Sequence, residues 1–326
     1  MPSLARFLCR GRIVSAMMVA AFAMTIGSLS ASTAEVQDDP PVASAPPPTA
    51  IPLQNSIPSD QLAFLSGYAG RPARELLKDK AFGHLMKTVL PKTTYHYGRD
   101  MSLNDAVDDV VDGSKLPVML RDGRYLMVSG EQGPYLRGRG FLWFDLENGA
   151  ALGGFYFTPT NGEPSPTLTI YSKQLDVDAL SMSQLPQAFV QDLYQWEAVA
   201  KVPPVTARYF IPVSGKKYVL VHDENYCWHP DNAPAPDEIE CQQMNADAAD
   251  ADMNAAYFMK ETHNQANATA WMLGPDQVAW IQLRDRSCAG QNGFGCRIRM
   301  THERTVVLLG RPGPIFPHPQ PPRSGR

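Results

Sequence analysis

Cysteine is absent from residues 35–226 of this 326-residue chain, and four of its five cysteines, Cys227, Cys241, Cys288 and Cys296, fall in the last third. That asymmetry implies two differently built parts. Beyond residue 34 no stretch approaches the ~18 apolar residues that would span a bilayer. No His-Glu-x-x-His, Gly-x-Ser-x-Gly, phosphate-binding loop or Gly-x-Gly-x-x-Gly occurs, so the common signatures of zinc proteases, serine hydrolases and nucleotide binders are missing. Basic residues are not in excess: 29 Lys and Arg stand against 33 Asp and Glu. Nucleic acid as a partner, which needs a basic stripe, is thereby disfavoured.

What is present begins with an address. Arg6, Arg10 and Arg12 precede an apolar stretch, Ile13 to Leu29, and Ser32-Thr33-Ala34 offers small residues at its exit. Residues 1–34 therefore read as a secretory signal, a retained anchor being the alternative. Its removal leaves 26 basic and 33 acidic residues, a formal charge of −7. Such a protein is exported, periplasmic or secreted, with no stable membrane insertion after cleavage. Cys9 leaves with the signal, and four cysteines in an oxidising compartment imply two disulfides. Three connectivities are possible. The expected pairs are Cys227–Cys241 and Cys288–Cys296, because each flanks a break in the helical pattern.

Residues 35–57 are a Pro-rich linker, and a second Pro-rich stretch, 311–326, forms the tail. Between them, residues 58–222 start with helical periodicity. Helices are expected near Pro58–Tyr68, over Ala73–Leu90 and over Leu103–Val111. From Leu116 the period changes to two. Asp122-Gly123 and Glu147-Asn148-Gly149 separate alternating runs as hairpin turns do. Five strands ending at Thr167–Ser172 make an antiparallel meander. An amphipathic helix over Gln184–Ala200 and a hairpin around Ser214-Gly215 follow. The fold class is α+β: N-terminal helices plus an antiparallel β-meander domain, followed by a small disulfide-stapled three-helix domain at 223–310. Its helices are expected at Met244–Met272, Asp276–Cys288 and Cys296–Leu309.

Three strings in that last part carry a resemblance. Asp250-Ala251-Asp252-Met253-Asn254-Ala255-Ala256-Tyr257 is similar to a D..LN..Y helix start. Gln277 to Cys288 holds Ala279-Trp280-Ile281 and Arg284-Asp285 at the spacing of Q.AWI..RD..C. Cys296, Met300-Thr301, Arg304 and Leu309 follow C...MT..R...L. Residues 227–310 thus resemble the LprI-type lysozyme-inhibitor domain, about a quarter of the chain; residues 58–222 resemble no named family. The resemblance implies a non-enzymatic inhibitor that occludes a muramidase without a cofactor. Asn254, Tyr257, Trp280, Arg284, Asp285 and Arg304, the matched motif residues, read as structural, since a small helical core recruits aromatics and helix-end charges.

Candidate chemistry is sparse. His222-Asp223-Glu224 with Cys227 and His229 gathers potential metal ligands, but disulfide use of the thiols removes them, and no metal is expected. Tyr95-His96-Tyr97-Gly98-Arg99-Asp100 places a histidine where Asp100 could orient it as a general base, or else forms a strand whose tyrosines cover the sheet. The loop Thr158–Pro166 could hold a glycan or peptide. No catalytic residue is assigned. The acidic load is more telling: ten carboxylates against Lys260 alone lie between Asp223 and Glu261. A like-charged patch steers a cationic protein. Asp247, Asp250 and Asp252 are therefore the expected partner-binding residues, toward a basic lysozyme or another cell-wall protein. The alternative is a periplasmic glycan- or peptide-binding protein or hydrolase with its site on the α+β part.

Overall fold

The computed structural model describes residues 53–114, 116–132, 138–222, 227, 235–266, 273–290 and 293–310. The expected signal, the linker up to residue 52 and the Pro-rich tail lie outside these residues. The described residues belong to one compact unit that begins at Pro47.

The chain opens with α1 (Ser59–Leu62), α2 (Ala73–Leu77) and α3 (Lys80–Val89), then a hairpin of β1 (Thr94–His96) and β2 (Asp100–Ser102), then α4 (Leu103–Asp112). The single helix expected over 73–90 is two helices. Asp79 separates them: its carboxylate accepts the Ala81 N–H at 2.8 Å and the Tyr68 hydroxyl at 2.7 Å, which makes it an N-cap rather than a mid-helix residue. Ser102 caps α4 in the same manner, accepting from the Asp105 N–H at 3.1 Å.

The meander follows as β3 (Met119–Arg121), β4 (Tyr125–Gln132), β5 (Gly138–Asp145), β6 (Ala150–Phe157) and β7 (Thr167–Tyr171), each antiparallel to the next. Asp122 and Gly123 both have positive φ, 57° and 68°, as a two-residue hairpin of the I′ type requires. Beyond β7 come β8 (Leu180–Ser181), α5 (Gln187–Val199), β9 (Ala207–Ile211) and β10 (Tyr218–Val221). The eight-stranded sheet runs β3-β4-β5-β6-β7-β9-β10-β8. It is mostly antiparallel, but β9 lies parallel to β7 and β8 parallel to β10. The sequence pattern did not announce the parallel pair; it arises because α5 serves as a crossover over one face.

That face buries Trp143, Tyr156, Leu168 and Phe210 against Phe189, Leu193 and Trp196 of α5. On the opposite face α2–α4 and β1 cover Phe144, Phe155, Phe157 and Tyr171. Adjacent glycines in mid-strand β6 make this two-sided packing possible. A Cβ at Gly153 would sit 2.1 Å from the Tyr171 ring, and one at Gly154 would sit 2.3 Å from the Phe141 ring. Each bare backbone leaves room for an aromatic ring lying across the sheet.

The last three helices are α6 (Glu238–Ala266), α7 (Leu273–Ser287) and α8 (Gly293–Leu308). Cys227–Cys241 and Cys288–Cys296 are bonded, with Cα separations of 5.0 and 5.4 Å, in the expected pairing. The helices share a core with the end of the sheet: Ala207 and Tyr209 of β9 and Val219 of β10 pack with Met253, Ala256, Trp280 and Met300.

Candidate functional site

The motif residues converge on Trp280, which is buried on α7. The guanidinium carbons of Arg284 and Arg304 lie over its ring, 5.2 and 5.7 Å from the centroid. Arg284 donates to Asp250 at 2.8 Å, to Asp285 at 3.0 Å and to the Thr301 hydroxyl at 3.2 Å. Arg304 donates to Gln277 at 2.9 Å and to Asp276 at 2.6 Å. Helical spacing explains the arrangement: positions 277, 280 and 284 form one face of α7, and positions 300, 301, 304, 305 and 308 form the facing stripe of α8. Tyr257 and Asn254 stand half-buried on α6. Burial raises the Tyr257 phenol above its ordinary range, with Glu261 adding to the shift. These residues hold the three helices together. Gln277 and Thr301, two further positions of the motif strings, belong to the same network, and so does Arg297, which no string singled out.

The three aspartates named as partner contacts have separate fates. Asp252 is completely buried, and its Oδ2 accepts the His222 N–H at 2.6 Å. It fastens the end of β10 to α6 and presents nothing at the surface, so it leaves the set of docking residues. The reason is that α6 packs against β9 and β10 on one side and α8 on another, which buries positions an ordinary amphipathic helix would expose. Asp250 is half-buried between Arg284 and Arg297, and its hydrogen bond with Arg297, aided by charge attraction and opposed by burial, raises the guanidinium above its ordinary value. Its charge is neutralised within the module. Asp247 is exposed, touched by the Gln243 amide at 2.6 Å.

The exposed acidic surface lies toward the start of α6. Asp237 and Glu240 form a reciprocal cap, each carboxylate accepting the other's backbone N–H, at 2.8 and 3.1 Å. Glu240, Met244 and Asp247 then recur at i, i+4 and i+7, all exposed, so two carboxylates flank a surface methionine. Asp223, Glu224 and Asp231, counted in the acidic excess, and His229 lie outside the described residues. Cys227 is consumed by its disulfide and is no metal ligand.

On the α+β part, two strings that are distant in sequence come together. His96 Nδ1 lies 2.9 Å from Asp100 Oδ1, and His96 Nε2 lies 3.3 Å from the Thr160 hydroxyl. Tyr95 on β1 and Tyr97 just beyond it turn inward onto Phe155 and Phe157, which is the sheet-covering role. Lys217 pins the 158–166 loop through Glu163 at 2.7 Å. Chemically this is a carboxylate–imidazole–hydroxyl series on an open surface, with Asp100 and Thr160 exposed.

A compact three-helix module, stapled by two disulfides and centred on one tryptophan between two arginines, is the class of structure that these geometries define. Residues 230–308 match the family model described as Lysozyme inhibitor LprI. No curated protein and no solved structure matches the chain. The sheet and its covering helices, residues 53–222, carry no family match.

Proposed function

We propose that this is an exported, non-enzymatic envelope protein whose helical module, residues 223–310, binds and occludes a cationic lysozyme. The match of residues 230–308 to the lysozyme-inhibitor family carries the reading. The two disulfides fit an oxidising compartment. The docking face is the Glu240–Met244–Asp247 stripe of α6 with Asp237 and Glu238 beside it; all five are exposed, an apolar contact within a charged rim. Such a rim acts mostly on association and weakens with salt, whose screening length is about 8 Å at ~0.15 M. Occlusion needs no cofactor. The test is surface-plasmon kinetics of the disulfide-bonded protein on an immobilised basic lysozyme. Asp247→Asn with Glu240→Gln slows association several-fold and leaves dissociation nearly unchanged; an unaltered association rate removes this face from the proposal.

One observation favours a second reading, a glycan- or peptide-binding protein or hydrolase acting on the α+β part. His96 is bonded on both sides, by Asp100 and by Thr160, at an accessible surface. Retention on purified peptidoglycan that is lost in His96→Ala, without binding to any lysozyme, would place the activity there.

A further inference from the structure

The register of four strands sets Arg139 (β5), Tyr156 (β6), Leu168 (β7) and Arg208 (β9) directly opposite one another in one row. Directly opposed residues share a face, and this face is the one covered by α5, because Tyr156 and Leu168 belong to its core. Neighbouring strands lie about 4.8 Å apart, so the row from Arg139 to Arg208 spans about 14 Å. Two arginine side chains leaning inward close most of that distance. Arg139 does lean inward: its guanidinium carbon lies 5.8 Å from the centroid of the Tyr156 ring.

Neither arginine is satisfied. Nε and Nη1 of Arg139 and Nη1 of Arg208 are buried without a hydrogen-bond partner. Buried guanidinium nitrogens without acceptors are costly, and three of them on one row of a sheet call for an occupant. Glu131, next in the row beyond Arg139, leaves Nε and Nη1 unbonded. Among the described residues, Glu197 on α5 is an acid close enough to Arg208 to interact with it. Burial pushes its carboxyl up to about 7, with Arg208 pulling the other way, so much of its charge is withheld near neutrality.

We propose that the Arg139–Arg208 row on the α5-covered face of the sheet is a binding site for an oxyanion, a carboxylate or phosphate group carried by a small envelope ligand. The planar forks of two guanidinium groups supply parallel N–H donors to such a group, which a point-charge lysine would not. Tyr156 and Leu168 form an apolar floor beneath it. This site is independent of the α6 face and concerns the part of the chain without a family match.

The experiment follows the Arg139 Nε–H resonance by 15N NMR in the disulfide-bonded protein during separate titrations with inorganic phosphate, acetate and chloride. Saturable movement with phosphate or acetate, exceeding that with chloride, is expected, and the stronger of the two names the ligand class. The exposed Arg74 Nε–H stays still. Arg208→Gln weakens the response by about tenfold, the value of one charge-assisted hydrogen bond. If that variant loses its dispersed spectrum, Arg208→Lys replaces it and is expected to weaken binding less. No movement, or equal movement with chloride, overturns the proposal.

Discussion

Replacing Arg284 by methionine tests whether the family-motif arginine is a structural residue of the module. Methionine keeps the length and apolar bulk and removes the fork. Arg284 is buried and bonds Asp250, Asp285 and Thr301 while lying over Trp280. The bond to Asp285 contributes little, because that carboxylate is 59% exposed. Asp250 keeps Arg297 as a partner, so the loss is less than that of a buried charge stranded alone. What disappears is about 1.5–3 kcal/mol of charge-assisted hydrogen bonding to Asp250 and Thr301 and about 1 kcal/mol of cation–π attraction, partly offset by methionine packing. The expected net loss is about 2–4 kcal/mol. For a chain of this size that lowers Tm by about 4–15 °C in a thermal melt followed by circular dichroism. Arg284→Lys, which keeps the charge and loses the geometry, recovers less than half of the loss. A loss within the ~0.5 kcal/mol typical of surface substitutions would refute the structural role.

Three further outcomes are expected. Asp252→Ala leaves the buried His222 N–H without its acceptor and costs about 1–3 kcal/mol in urea titration, whereas Asp247→Asn leaves stability unchanged. Glu197 has a folded-state pKa above its ordinary 4.5, so the folded protein binds the extra proton between 4.5 and about 7; stability therefore falls as pH rises through that window, and Glu197→Gln removes this part of the slope in denaturant titrations from pH 4 to 8. Residues 53–222, proposed to form a domain of their own, are expected to melt cooperatively when expressed alone but about 3–5 kcal/mol less stably than in the whole chain, because Ala207, Tyr209 and Val219 lose their cover; an uncooperative melt would show that the boundary near His222 is misplaced.

The meander was readable because its turns are chemical: Asp122-Gly123 and Glu147-Asn148-Gly149 sit between alternating runs, and β3–β6 follow them. The disulfide pairing was readable because each pair brackets a short break. Other features depend on contacts far apart in sequence. The parallel β7–β9 pair needs α5 on the sheet face, which no local pattern states. Asp79 looked like one more polar residue of a long helix until Tyr68, from the segment before α2, supplied it with a proton donor. Asp252 looked like Asp247 in an Ala-rich acidic string; only the packing of α6 against two neighbours separates a buried tie from a surface charge. The Arg139–Arg208 row emerges only once register is known.

Enzyme inhibition decides whether the helical module blocks a muramidase. Increasing amounts of the disulfide-bonded protein are added to a basic animal-type lysozyme, and clearing of a bacterial cell-wall suspension is followed at low salt and again at ~0.15 M salt. Stoichiometric loss of muramidase activity is expected, weaker at the higher salt and weaker again for Glu240→Gln with Asp247→Asn. Undiminished activity at every ratio, with the protein shown folded by its melt, would contradict it.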